Sequence, residues 1–156
     1  MSISFVLNGK STVYKGSATD RLSDVLRRDF RCPGVKSGCN EGECGACSVI
    51  MDGALVNACM VAAGRAYDTE IVTIEGYQET IQFAVLDQAF GETGAVQCGF
   101  CTPGMILAAA CILQKNPDPT KAEIRDGLSG NMCRCTGYNA IVDAVALAAK
   151  EGRGLW

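Results

Sequence analysis

The stretch GCNEGECGAC, residues 38–47, sets three thiols, Cys39, Cys44 and Cys47, into a run that also holds Gly38, Gly42 and Gly45. Thiols this close in one loop constrain the chain more than any hydrophobic pattern does. They either bridge to other cysteines or converge on something external. Glycines at that density permit positive φ and close approach, and they let backbone N–H groups aim at a shared target. The whole chain of 156 residues has ten cysteines and no histidine. Without histidine there is no Ser-His or Cys-His catalysis, no Cys2His2 zinc site and no Rieske-type centre, so any metal is held mainly by thiolates. The opening MSISFVLNGK has no charged segment leading into a long apolar one, so no export signal is read. A cytoplasmic location is expected, where disulfides are disfavoured.

The spacing C-x4-C-x2-C is the plant-type arrangement for a [2Fe-2S] cluster, whose fourth thiolate comes later in the chain; Cys59 stands further on. N–H···S bonds from such a loop also help tune the reduction potential. The competing reading is a tight glycine turn beside structural thiols, or a zinc knuckle. A second set follows, with Cys98 and Cys101 in AVQCGFCTPG and Cys133 and Cys135 in NMCRCTG. Bridging i to i+2 strains a disulfide, and in a helix the two side chains would point nearly opposite ways, so Cys133 and Cys135 face a common target only from irregular chain. Both pairs lie just before helix starts, where N–H groups favour thiolates. From spacing alone this set suits either a second iron–sulfur cluster or zinc. Cys32 and Cys111 read as structural thiols.

Two kinds of pattern divide the chain near residue 76. Residues 1–76 read as a small mixed β unit. Runs at Ile3–Leu7 and Ser11–Lys15 flank Asn8-Gly9, a hairpin signal, and CSVIMDGALVN turns likewise at Asp52-Gly53. Between them a helix is expected, capped by Asp20, with Leu22, Val25 and Leu26 on one face and Arg27 and Arg28 in its last turn. EIVTIEG reads as a further strand. This order suggests a β-grasp sheet. Residues 77–156 read as a bundle of four helices: Ile81 to Phe90, apolar on more than one face; one started by Thr102-Pro103; one capped by Thr120 and Glu123; and one with Val142, Val145, Ala146 and Ala149 on a stripe, closed by Gly152. GRGLW reads as a flexible tail whose Trp156 either faces a partner or packs against its own chain. The fold class expected is α+β.

A net charge of −3 without a basic run argues against nucleic acid or an anionic membrane surface as partner. The longest apolar run, Met105 to Leu113, is about half of what a membrane span needs. Lys36-Ser37 lacks the glycines of a P-loop, and no G-x-G-x-x-G opens a helix. No catalytic residue and no substrate site are read on this chain.

Taken together, GCNEGECGACSV, QCGFCTPGM and GNMCRCTGY resemble the small iron–sulfur subunit of the molybdenum hydroxylases. That family includes xanthine dehydrogenases, aldehyde oxidoreductases, nicotinate and isoquinoline hydroxylases and aerobic carbon monoxide dehydrogenase. The likeness runs from about Ile3 to Ala149. It implies a plant-type ferredoxin-like β-grasp domain binding [2Fe-2S] through Cys39, Cys44, Cys47 and Cys59. A four-helix domain would bind a second [2Fe-2S] through Cys98, Cys101, Cys133 and Cys135. It further implies that Gln97 and Cys135 lie beside the pterin of a molybdopterin (dinucleotide) cofactor on a large partner subunit. The N-terminal cluster would face a medium subunit that binds FAD. The implied role is wiring, since hydroxylation at molybdenum releases two electrons and each cluster carries one. A purine or other N-heterocycle hydroxylase of xanthine dehydrogenase type is the expected setting. Aldehyde, carbon monoxide or aromatic acyl-CoA oxidoreductases are the alternatives within the family, and a free-standing ferredoxin or zinc-binding module lies outside it.

Overall fold

The computed structural model describes residues 2–156. Strands β1 (Ile3–Leu7) and β2 (Lys10–Tyr14) form an antiparallel hairpin. Asn8 and Gly9 turn it with φ of 51° and 74°, the left-handed pair that matches the twist of two-residue hairpins. Strands β3 (Ser48–Met51) and β4 (Ala54–Asn57) form a second hairpin in the same way, at Asp52 and Gly53. β5 (Glu70–Val72) lies between the hairpins, parallel to β1 and antiparallel to β3, so the sheet order is β2-β1-β5-β3-β4. Helix α1 (Leu22–Arg28) lays Leu22, Val25 and Leu26 into a core shared with Phe5, Val49 and Ile71. This is the expected grasp of a helix by a mixed sheet.

Two local expectations fail here. The N-cap of α1 is Arg21, without a side-chain cap, and not Asp20. The Asp20 carboxylate is already engaged one step earlier, accepting from the Ser17 amide at 3.0 Å and from the Tyr14 hydroxyl. The strand expected over EIVTIEG stops at Val72. Thr73 gives its N–H to Asn8 Oδ1 at 2.9 Å, away from the sheet, and a short helix α2 (Ile74–Tyr77) starts at once.

The second unit has its own core. Helices α3 (Ile81–Glu92), α4 (Thr102–Lys115), α5 (Lys121–Gly127) and α6 (Asn139–Glu151) pack around Met105, Leu113, Ile124, Ile141 and Val145. Thr120 and Glu123 form the expected capping box on α5, and Pro103 sits in the first turn of α4. On α6, Val142, Val145 and Ala149 are buried, with Ala146 at the edge. α3 is less buried than its composition suggests. Leu86, Ala89 and Phe90 face the core, while Ile81 is 62% exposed. The C-terminal residues fold back: Leu155 accepts from Gln82 Nε2 at 3.1 Å, and Trp156 packs against the helical core beside Gly152. The expected flexible tail is therefore corrected, and of the two roles read for Trp156 the intramolecular one holds, because the indole finds apolar surface within its own chain. Among the described residues, no helix is long and apolar enough to cross a membrane.

Candidate metal centres

The loop between α1 and β3 winds through positive φ at Asn40, Gly42 and Gly45. That winding turns a fan of amides onto one sulfur. Cys39 Sγ accepts from the amides of Glu41, Glu43 and Cys44 at 3.5, 3.4 and 3.4 Å, and Cys44 Sγ accepts from the amide of Cys39 at 3.4 Å. These amides, Glu41 and Cys44 first, draw the Cys39 thiol down to about 7. Gly38 is required by space, since a Cβ there would stand 2.8 Å from Cys44 Sγ. Cys47 opens the way into β3, and Cys59 lies on a single 3-10 turn, Ala58–Met60, after β4. The Cys59 amide donates to Cys47 Sγ at 3.4 Å, so the β3–β4 hairpin brings the fourth thiol back to the loop. Both are nearly inaccessible, and burial, added to the neighbouring Cys59, pushes the Cys47 thiol up to about 11.

The helical unit gathers the other four. Cys101 caps α4, while Cys133 and Cys135 sit in the loop that leads into α6. Cys98 and Cys135 place their sulfurs 3.6 Å apart. Cys101 lies against Cys133; burial and then that neighbour push its thiol up to about 12. Burial works against ionisation of Cys133 too, but hydrogen bonds led by the Thr136 hydroxyl outweigh it and the thiol is lowered. Cys135 is raised by its bond to Cys98.

The pairing discriminates between metals. Among the described residues, no three Cys, Asp or Glu side chains close on one point as a single ion requires. The thiols fall instead into pairs: Cys39 with Cys44, Cys47 with Cys59, Cys98 with Cys135, Cys101 with Cys133. Two thiolates sharing one tetrahedral metal at about 2.3 Å stand roughly 3.7 Å apart, close to the 3.6 Å between Cys98 and Cys135. Two such pairs facing each other suit a binuclear iron–sulfur centre, one pair to each iron. Zinc would draw all four thiolates to one point, so the donor sets fit [2Fe-2S] better.

The two sets are neighbours. Cys39 and Cys44 from one, and Cys98, Cys101, Cys133 and Cys135 from the other, border a single cavity of about 250 Å³. The backbone joins its walls: the Met132 amide donates to the Cys44 carbonyl at 2.9 Å. Beside it, buried Asn131 sends Nδ2 to the Gly45 carbonyl at 3.0 Å and to Ser48 Oγ at 3.2 Å. Two glycines allow this approach. A Cβ on Gly45 would lie 2.3 Å from the Gly130 carbonyl, and one on Gly104 would lie 2.5 Å from the Gly45 carbonyl. Asn131, Ser48 and Gly104 were not singled out in the sequence; only the fold supplies the partners of Asn131.

Gln97 is exposed on the loop before Cys98. Near the exposed Cys98 and Cys135, Val96, Phe100 and Met132 are 43%, 48% and 59% exposed, an apolar rim whose Phe100 and Met132 also border the shared cavity. Cys32 is buried in the sheet core that also holds Cys47 and Cys59, and Cys111 is half-buried on α4; burial raises both thiols.

Residues 5–71 match the 2Fe-2S iron-sulfur cluster binding domain, and residues 73–146 match the [2Fe-2S] binding domain. The chain is 50% identical over 151 residues to the nicotinate dehydrogenase small FeS subunit of Eubacterium barkeri, covering 97% of this chain and 96% of that one. It is 47% identical over 131 residues to the aldehyde oxidoreductase of Megalodesulfovibrio gigas, covering 82% of this chain but 14% of that longer one. The crystal structure of quinoline 2-oxidoreductase from Pseudomonas putida 86 superposes with a TM-score of 0.92 at 40% identity, covering 98% of this chain and 96% of its counterpart.

Proposed function

The chain belongs to the iron–sulfur subunits of the molybdenum hydroxylases, and from that premise we propose that it carries electrons singly from a molybdopterin centre on a large partner subunit to FAD on a medium one. A [2Fe-2S] cluster, when bound, takes up and releases one electron at a time. This chain's residues hold and insulate it. In this reading residues 1–76 hold one cluster through Cys39, Cys44, Cys47 and Cys59, and residues 77–156 hold the other through Cys98, Cys101, Cys133 and Cys135. The observation that carries the reading is that both thiol sets border one cavity, with the Met132–Cys44 hydrogen bond linking their loops.

Partner surfaces follow from exposure. The rim of Val96, Phe100 and Met132 around Cys98 and Cys135 suits burial against the large subunit, with Gln97 and Cys135 beside the pterin. The Cys59 side, where Met60 is 63% exposed, is left for the flavin subunit. Relatives in which this chain corresponds to a small part of one longer polypeptide support assembly with such partners. The substrate class we assign to the complex is an N-heterocycle, purines included, supported by full-length likeness to subunits acting in nicotinate and quinoline enzymes. Ten unbridged cysteines suit a cytoplasmic setting.

The test is metal content with spectroscopy. The purified chain should hold iron and acid-labile sulfide in equal amounts, enough for two clusters. Cys44→Ser should weaken one electron paramagnetic resonance signal of the reduced protein and Cys98→Ser the other. Stoichiometric zinc without visible absorption would end the proposal.

A further inference from the structure

Three hydrogen bonds close a ring beside Cys133. The Cys133 amide donates to Tyr138 Oη at 2.8 Å, the Tyr138 amide donates to Thr136 Oγ1 at 3.3 Å, and the Thr136 hydroxyl donates to Cys133 Sγ at 3.1 Å. The backbone makes an unusual conformation to close it. Gly137 and Tyr138 both have positive φ, 64° and 70°. For an aromatic residue that is a strained state, held only where its surroundings over-determine it. Here the Tyr138 ring is packed against the helical core and its hydroxyl is taken by Cys133.

The ring settles the direction of one proton. With an amide hydrogen pointed at its oxygen, Thr136 directs its own hydrogen at sulfur. Meanwhile the Cys133 amide is turned to Tyr138, away from any thiolate. The N-terminal loop supplies N–H···S bonds in number, three of them on Cys39 alone. At Cys133 the Thr136 hydroxyl, at 3.1 Å, is the leading hydrogen bond, ahead of the backbone amides of Thr136 and Cys135.

We propose that Thr136 sets the reduction potential of the C-terminal cluster, with Tyr138 as the residue that positions its hydroxyl. The inference rests on the assignment of Cys133 as a cluster ligand. A hydrogen bond to a thiolate ligand strengthens as negative charge on the cluster grows, so it favours the reduced state and raises the potential. One electron enters and no proton is transferred; the O–H bond stays intact in both states.

The test uses the full chain with both clusters bound. Redox titration would follow the two reduced-state electron paramagnetic resonance signals separately in wild type, Thr136→Val, Thr136→Ala and Thr136→Ser. Valine keeps the β-branch and removes the hydroxyl. At the potential where half of the wild-type C-terminal clusters are reduced, the ratio of reduced to oxidised should fall about tenfold in the valine and alanine variants. Serine should restore it, and the N-terminal signal should not move. Electron–nuclear double resonance compared in H2O and D2O should show one coupled exchangeable hydrogen fewer at the C-terminal cluster in valine than in wild type and serine. An unmoved potential in both hydroxyl-free variants, or an equal shift of both signals, overturns the role of Thr136 alone. A wild-type chain with no C-terminal signal overturns the ligand assignment beneath it.

Discussion

The Met132 amide and the Cys44 carbonyl meet at 2.9 Å, and each lies on a cysteine-bearing loop of a different folding unit. Cys44 belongs to the first thiol set, and Met132 directly precedes Cys133 of the second. The hydrogen bond is therefore both a mechanical joint and a short covalent-plus-hydrogen-bond route between the two thiol sets. Its geometry depends on Gly45, whose φ is +66° and whose missing side chain leaves room for the Gly130 carbonyl.

Gly45→Ala should accordingly damage the joint. Left-handed φ and overlap with backbone together cost roughly 1–3 kcal/mol, which for a chain of this size lowers a melting midpoint by about 2–4 °C per kcal/mol. Gly130→Ala is the control, because a Cβ there meets nothing within 4 Å. Thermal bleaching of the cluster absorption would compare them. Equal midpoints for the two variants would mean the close approach carries no stability.

The spare thiols make a second test. Cys32→Ser and Cys111→Ala should leave iron per chain unchanged, since Cys32 is buried in the sheet core and Cys111 lies on α4 away from both thiol sets. A modest stability loss is expected from Cys32→Ser, which puts a hydroxyl into that core. Loss of either cluster in the Cys32 variant would show the ligand assignment to be wrong.

Tyr14 and Asp20 give a pH dependence with a definite sign. Tyr14 is raised to about 12, first by its hydrogen bond to Asp20, and Asp20 is lowered by the same bond. The raised tyrosine contributes stability that is complete below its ordinary value near 10 and fades as pH climbs through about 12. The depressed carboxylate contributes stability present above its ordinary value of 3.8 and lost as pH falls through its lowered folded value. Tyr14→Phe should thus be less stable than wild type on the plateau between these limits, the difference shrinking toward pH 12. Denaturant midpoints across the alkaline arm would measure it. A difference that stays constant to pH 12 would remove the hydrogen bond as its cause.

What could be read from the sequence was what is local. C-x4-C-x2-C, C-x2-C and C-x-C are short-range spacings, and Asn8-Gly9 and Asp52-Gly53 declare their turns without help from the rest of the chain. Misreadings came where a polar partner outside the hydrophobic pattern decides. Asp20 looks like a helix cap until Tyr14 and Ser17 claim its carboxylate. Thr73 looks like a strand residue until Asn8, 65 positions away, takes its amide. The first bond is short-range and the second crosses the fold, but both go to a polar side chain, and hydrophobic periodicity carries no trace of such bonds.

Gln97 supplies the last prediction. It is exposed, it directly precedes Cys98, and the apolar rim of Val96 and Phe100 flanks it. An exposed amide inside a surface that a partner covers needs a hydrogen-bonding group on that partner, because burying it unpaired is unfavourable. A pterin edge presents donors and acceptors together and matches an amide that offers both. Gln97→Leu keeps the approximate volume and removes both functions. In the assembled complex this variant should keep both clusters and leave reduction of molybdenum by substrate largely intact, while electron transfer from molybdenum to the nearer cluster slows. Rapid-reaction kinetics that follow cluster bleaching would read that step directly. An unchanged bleaching rate would return Gln97 to the solvated surface, and loss of the C-terminal cluster would make it a brace for its own loop, since an amide that only meets the pterin has no part in holding iron.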